Sequence, residues 1–572
     1  MLLELLACLL LFFGLSLGLA WPLAARLNLD PAEKLVASTV LSLLAVYLLA
    51  FAIYLLALPV AAFWLLPALA AIGLLTGWRA LAALLRDPGA RALLIGQMLV
   101  TGWCTGWLWF IASYSGGGWA GDWFEHWERT RFFLEHWAHG TKFLTLYDLP
   151  ARPPLANLVT GAFLAVTSQN FAHYQLFTTL LSSLAFLPAA LLVRRFSARL
   201  PGTSPAGALT AVAVFTVLVM LNPSFVQNAT FAWTKLITVC FILSGLYFFL
   251  RTLDPAAPRA AGPLCAVALA AAILAHYSAG PYVLLLALAW PVLHRSRWSE
   301  AAFWRETAWL ALIGGLLLAT WFGWSVAVYG PHTTLLSNSS VTVKDAQSGN
   351  QLLKIALNLR DTLVPHFLRP LDGSLIAQRS PWGYWHDWFF QLYQLNLFFV
   401  FGSVAWLVLI RELLRDGSAA APRSRWFWAW FIAGTVVLGV AVHGARDIWG
   451  LAHICLQALV VLGLGYLAAR WATLGRGWRL VVVAGATVDF CLGIALHFAV
   501  QSYALDHWLT PSRPFVETLK SYGMVDLMNS VAKAAMHLEF FRDAFAVPSA
   551  LGLGLLAAIL ALAVMRATRR SA

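Results

Sequence analysis

Apolar runs recur along almost the whole chain, broken by short loops that carry arginine. A run of roughly 20 apolar residues crosses the hydrocarbon core of a bilayer as a helix. On that measure the pattern predicts spans near 3–25, 36–57, 60–78, 92–114, 172–193, 206–222, 232–250, 263–275, 281–294, 306–328, 391–410, 427–443, 448–469, 480–500 and 548–565. The fold class expected is therefore all-α, a polytopic transmembrane helical protein of about fifteen spans. One run breaks the count. PPLANLVTGAFLAV, 153–166, is apolar but barely long enough to cross, and counting it as a crossing would put the later arginine loops on the wrong side. It reads as a membrane-dipping segment.

Composition agrees with a bilayer as solvent: 61% of the 572 residues are hydrophobic and 11% charged, and the mean hydropathy is +0.75. The first run lacks a basic flank and a small-residue cleavage site, so it reads as a span rather than a cleaved leader. All six cysteines fall inside apolar runs, so no disulfide framework is expected. A net charge of +13 would suit nucleic acid only if it were gathered on a soluble module. Here the arginines sit in short loops, at 79, 86 and 91, at 194, 195 and 199, at 295, 297 and 305, at 411, 415, 423 and 425, at 470, 476 and 479, and at 566, 569 and 570. They read as positive-inside signals, which puts those loops in the cytoplasm. The polar stretches 115–171, 329–390 and 501–547 then share the outer face, with the N-terminus outside and the C-terminus inside.

The stretch GDWFEHWERTRFFLEHW, Gly121 to Trp137, sits in the first of these outer loops. At helical spacing Trp123, Trp127, Thr130, Leu134 and Trp137 form one stripe, while Asp122, Glu125, His126, Arg129 and His136 share the other side. The expectation is an interfacial helix whose tryptophans meet lipid and whose acids face water. Its charges either serve only solvation or hold a base at the membrane surface. After YDL comes PARPPLANLV, in which Arg152 precedes a Pro-Pro pair that stops any helix and fixes the chain extended. A rigid cation at headgroup depth follows.

An acidic motif opening the first outer loop in an aromatic helix, then a basic residue before PPL and a dipping segment, resembles the GT-C integral-membrane glycosyltransferases. The likeness is to the branch of protein O-mannosyltransferases and lipid A aminoarabinose transferases, and it covers roughly residues 92–390. Six crossings separate the first outer loop from loop 329–390, as in that family's seven-helix module. The resemblance implies that Asp122 acts at the acceptor and that Arg152 helps position the donor lipid phosphate. The chain departs from the pattern in having Trp123 after the first acid, NATFAWTKL with Lys235 where the family has an acid, and AHYSAGPY, His276 to Tyr282, in place of a TKGP-like turn. The domains expected are 1–91, extra N-terminal helices; 92–390, the catalytic module with loops 115–171 and 329–390; and 391–572, C-terminal helices with loop 501–547.

The chemistry asks for the same groups. Moving a sugar from a polyprenyl phosphate needs a base near the acceptor hydroxyl and cations for the departing phosphate. Asp122 is the first choice for the base and Glu125 the second, and Arg152, Lys235, His276 and Arg446 stand at outer helix ends where they would meet phosphate. Plainer readings stay open: Lys235 as a snorkelling helix-end side chain, His276 as a hydrogen-bonded helix end, Arg446 as an ion pair with Asp447. Tyr277, Trp382, Tyr384 and Trp385 are the candidate substrate or lid residues, or an aromatic belt. Glu125, His126, Glu135, His136 and His139 are ligand types without metal spacing, so no metal and no cofactor is expected beyond the lipid-linked donor sugar. Expected partners are membrane lipids, a polyprenyl-phosphate sugar and a glycan, lipid or protein acceptor, with no nucleic acid. The arginine- and alanine-rich usage suggests a bacterial inner membrane, with the site facing the periplasm. A flippase would show mid-span ionisable residues or repeats, and neither is seen, whereas a glycan polymerase or ligase is the rival within the enzyme class.

Overall fold

The computed structural model describes residues 2–111, 114, 122–144, 146–200, 204–337, 350–364, 421–442, 454–499 and 537–545. The described residues are helical, apart from turns and one isolated bridge between Phe143 and Tyr147. In chain order the helices are α1 (Leu2–Gly18), α2 (Trp21–Arg26), α3 (Pro31–Leu55), α4 (Leu65–Thr76), α5 (Trp78–Arg86), α6 (Pro88–Trp107) and α7 (Asp122–Glu135). There follow α8 (Leu155–Ala165), α9 (Phe171–Ser183), α10 (Phe186–Ala198), α11 (Pro205–Met220), α12 (Pro223–Thr230), α13 (Lys235–Thr252) and α14 (Ala261–Ala275). The remainder are α15 (Gly280–Leu293), α16 (Ala301–Leu336), α17 (Gln351–Leu363), α18 (Ala421–Val442), α19 (Leu456–Ala469), α20 (Arg476–Asp489) and α21 (Phe541–Ala544).

Local sequence explains where these helices start. Asp87, Ser204 and Asn222 each accept the amide of the residue three positions on, and a proline follows each of them at the first helical position. Asp30 does the same work for α3 through a capping box with Glu33.

Six of the predicted crossings are single stretches long and apolar enough to span: 31–55, 88–110, 171–198, 235–252, 301–336 and 476–499. Two others are bent. The 60–78 run turns by 69° into the arginine-bearing α5, and the 206–222 run turns by 66° at Asn222–Pro223 into α12. The first run breaks at Ala20 into α1 and α2. α16 continues beyond 328 through a kink at Gly330, whose φ of +79° suits a residue without a Cβ, with Pro331 next. The predicted spans 391–410 and 548–565 lie outside the described residues.

The helix pair α9–α10 is buried from Phe171 to Val193 and is flanked by α6, α8, α11, α12, α13 and α19. Polar side chains bond across helices. Gln97 Nε2 on α6 donates to Ser183 on α9 at 2.8 Å, and Tyr47 on α3 meets Thr320 on α16 at 2.8 Å. One hydrophobic cluster runs from Leu5 to Phe545, so the N-terminal helices share their core with the rest.

The 153–166 run is the eleven-residue α8, about 16 Å long and so about half the hydrocarbon thickness. It is enclosed by protein, with Leu155 to Leu164 all buried against α3, α7, α9 and α14. Short helices at membrane depth are tolerated where protein surrounds them.

The structure corrects the expected orientation of 122–135. Trp123 and Trp127 do not meet lipid: Trp123 packs on Tyr114, Phe171 and Phe540, and Trp127 on Phe171 and Tyr174. Nor do the charges on the other side all face water, because Glu125, His126 and Arg129 are buried too. α7 is clasped on both faces, and its solvated edge carries Arg131 and Glu135, which pair at 2.7 Å.

Candidate functional site

The site is built where α7, α8, α13 and α14 end together. Its organiser is Arg129, which the sequence reading had placed on the polar side of α7 without a role. Glu125 and Arg129 stand one helical turn apart, and Arg129 donates from Nε to Glu125 Oε1 at 2.9 Å, with Nη2 at 2.7 Å from the same oxygen. Its other donors reach the chain before Arg152: Nη1 to the Leu149 carbonyl at 2.6 Å and Nη2 to the Asp148 carbonyl at 3.0 Å. The guanidinium also lies over the Phe143 ring, 4.4 Å from its centroid. A planar fork with five donors is suited to holding a helix and a loop in one register.

Arg152 is thereby presented to the same cluster. Its Nη2 lies 3.7 Å from Glu125 Oε2, and its guanidinium stands over Tyr147. Burial alone would push the Glu125 carboxyl up, but Arg152 and then Arg129 outweigh it and hold that carboxyl below its ordinary range. Glu125 is thus a fully buried, ionised clamp between two guanidinium groups.

Lys235 opens α13 and is buried rather than snorkelling, with Nζ 4.9 Å from the Trp233 ring centroid. Cys455 joins it to the His276 turn, its amide donating to the Ser278 carbonyl and its thiol to the Lys235 carbonyl, both at 3.3 Å. Asp122 is half-buried in the first turn of α7. His276 leaves α14 with extended backbone, and its Nδ1 accepts the Ser278 amide at 3.0 Å. A neutral His276 therefore carries its proton on Nε2 as a donor. Tyr277 donates to the Pro150 carbonyl at 2.8 Å and ties this turn to the loop before Arg152.

The structure thus gathers Asp122, Glu125, Arg152, Lys235, His276 and Tyr277 at one end of the bundle. Arg446, Trp382, Tyr384 and Trp385 lie outside the described residues.

The structure gives His126 a partner, Asn157, that has no role in the sequence analysis. Burial pushes the His126 imidazole down to about 3, so the ring is neutral, and its Nδ1 lies 3.3 Å from Asn157 Oδ1 on α8. That contact assigns the proton to Nδ1 and leaves Nε2 an acceptor, with no protein partner among the described residues. Beyond Lys235, Gln457 Nε2 donates to Asn228 on α12 at 3.1 Å, and Cys455 Sγ to the Lys235 carbonyl at 3.3 Å. The signal for α12 is the polar residues Asn222, Ser224, Gln227, Asn228 and Thr230 between two apolar runs. Of the metal-ligand types, His136 stacks on Tyr54 and His139 meets Trp324, away from His126. Among the described residues no three His, Cys, Asp or Glu side chains converge.

No family model matches the chain, and no curated relative does. Among solved structures it is similar to ArnT from Cupriavidus metallidurans bound to undecaprenyl phosphate, at 15% identity over 84% of this chain and 78% of that one, with a TM-score of 0.48. The same protein in the apo state aligns at 14% identity over 80% and 75%, with a TM-score of 0.43.

Proposed function

We propose that this protein is a GT-C-like glycosyltransferase that moves a sugar from a polyprenyl-phosphate donor to an acceptor at the outer, periplasmic face of the membrane. The observation that carries the reading is a set of cations gathered in a buried place. Among the described residues Arg129 and Lys235 are buried, and Arg152 approaches Glu125, the carboxylate that Arg129 holds. Such a site at the end of membrane helices suits an anion brought by a lipid.

In this reading Arg152, Lys235 and the Nε2 proton of His276 bind the donor phosphate. The acceptor hydroxyl attacks the anomeric carbon, the sugar–phosphate C–O bond breaks, and the phosphate leaves with the electron pair. Asp122 takes the hydroxyl proton. Glu125 positions Arg129 and Arg152 instead of acting as the base, because a buried carboxylate held ionised by two arginines accepts protons poorly. Arg446 and the aromatic residues Trp382, Tyr384 and Trp385 would complete the donor and acceptor sides. The acceptor is a glycan, a lipid or a protein.

The test is release of polyprenyl phosphate from a panel of polyprenyl-phosphate sugars by the purified protein. Arg152→Ala is expected to weaken donor affinity by about 2 kcal/mol, roughly 30-fold, because a charge-assisted contact to phosphate is lost. Equal donor affinity in titrations of the two proteins would refute the phosphate role.

Sidedness has its own check. Ala138, in the loop after α7, and Ala257, after α13, are both exposed, and Cys491 is the exposed thiol among the native cysteines. With Cys491 replaced by serine, Ala138→Cys is expected to react with an impermeant thiol reagent in intact cells and Ala257→Cys to stay unlabelled. The reverse pattern would put the site in the cytoplasm.

A further inference from the structure

Among the described residues Ala57, His136 and Leu144 have left-handed backbone without being glycine, at φ of +47°, +50° and +49°. The first two are explained by the helices they end. Ala57 follows α3 and His136 follows α7, and in each case the next amide returns to the carbonyl five residues back, Leu58 to Ile53 at 3.0 Å and Trp137 to Phe132 at 3.2 Å. Leu144 ends no helix, so its conformation must be held by other contacts.

What holds it is a side chain of α7. Glu128, the residue before Arg129, accepts the Leu144 amide on Oε2 at 3.0 Å. Around Leu144 the chain makes a tight turn, in which the Phe143 amide donates to the Tyr147 carbonyl at 2.8 Å and the Tyr147 amide to the Phe143 carbonyl at 2.9 Å. Lys142 and Asp148 pair across its base at 2.5 Å.

The two bridged residues carry the rings that lie against the arginines of the site. The Arg129 Cζ stands 4.4 Å from the Phe143 centroid, and the Arg152 Cζ 5.5 Å from that of Tyr147. Phe143 is fully buried and packs on Phe132, whereas Tyr147 is half-buried. A change of φ at Leu144 therefore moves Tyr147, and with it the surface on which the Arg152 guanidinium rests.

We infer that Glu128 is a positioning residue for the donor phosphate: its carboxylate latches the Leu144 amide, keeps the turn closed and so holds Tyr147 against Arg152. The inference rests on the phosphate role proposed for Arg152, and it gives the Leu144 strain a purpose at the site.

The experiment titrates the full-length protein in an uncharged detergent with polyprenyl phosphate, read by calorimetry, with Arg152→Ala in parallel. Glu128→Ala is expected to weaken binding about tenfold through loss of a charge-assisted hydrogen bond, and Glu128→Gln, which keeps an acceptor oxygen, by no more than about threefold. Glu128→Ala/Leu144→Gly is expected to bind within about threefold of wild type, because glycine takes left-handed backbone without a latch. Leu144→Val leaves Glu128 in place but disfavours that backbone, so it should weaken binding as Glu128→Ala does even if the latter fails to fold. With the sugar-bearing donor, KM should rise in Glu128→Ala while the rate at saturating donor stays near wild type, a split that general loosening of the fold would not produce. If Arg152→Ala loses affinity while Glu128→Ala and Leu144→Val bind as wild type does, the positioning role is refuted and the phosphate reading stands. Failure of the glycine double variant to recover binding refutes it as well, since Glu128 would then act other than through the turn. Wild-type affinity in Arg152→Ala overturns the phosphate reading itself.

Discussion

Asp122→Asn is expected to leave donor affinity intact and to lower turnover by two orders of magnitude or more, about 3 kcal/mol of transition-state stabilisation. The amide keeps the shape of the side chain at the start of α7 but cannot take the acceptor's proton. Asp122 is half-buried in the first turn of α7, whereas Glu125 is sealed between Arg129 and Arg152. Single-turnover measurements with saturating donor separate the chemical step from binding. Wild-type turnover in the variant removes Asp122 from the base role. A loss of turnover confined to Glu125→Gln, with donor binding and folding unchanged, would hand that role to Glu125.

Arg129→Met is expected to destabilise the protein by about 3–5 kcal/mol, because it leaves the Glu125 carboxylate buried with one guanidinium gone. It also frees the carbonyls of Asp148 and Leu149, so the segment that presents Arg152 loses its anchor. Donor affinity should therefore fall in this variant as well, although Arg129 need not touch the donor. Thermal unfolding in detergent measures the first effect, and the double variant Glu125→Leu/Arg129→Met provides the control. Removing both charges should recover most of the lost stability while donor binding stays weak. A single variant that melts within about 1 kcal/mol of wild type would show that the pair is not the clamp described.

Much of the site was legible as residue types at helix ends. Asp122 and Arg152 were singled out by the acidic motif of the first outer loop and the basic residue before PPL, and Lys235 and His276 as phosphate-binding types at predicted outer helix ends. Their convergence was not legible, since α7, α8, α13 and α14 meet only through packing among helices far apart in sequence. Arg129 and Asn157 were passed over for the same reason: the residues they organise, the 148–150 carbonyls and the His126 ring, come from other elements.

What the sequence determined by itself is the class: an all-helical chain with several helices long and apolar enough to cross a membrane. In a bilayer each backbone polar group must be satisfied within its own segment, so length and hydropathy suffice to predict a helix without knowing its neighbours. The break into α8 was readable on the same ground, as a run too short to cross. The direction in which α7 faces was decided by the tertiary structure. A stripe of tryptophan suits lipid and protein equally well, because acyl chains and a helical core are both apolar, so amphipathic spacing cannot tell one from the other. Only the packing of Phe171, Tyr174 and Phe540 against Trp123 and Trp127 turned that stripe inward, and with it buried the Glu125–Arg129 pair on which the position of Arg152 depends.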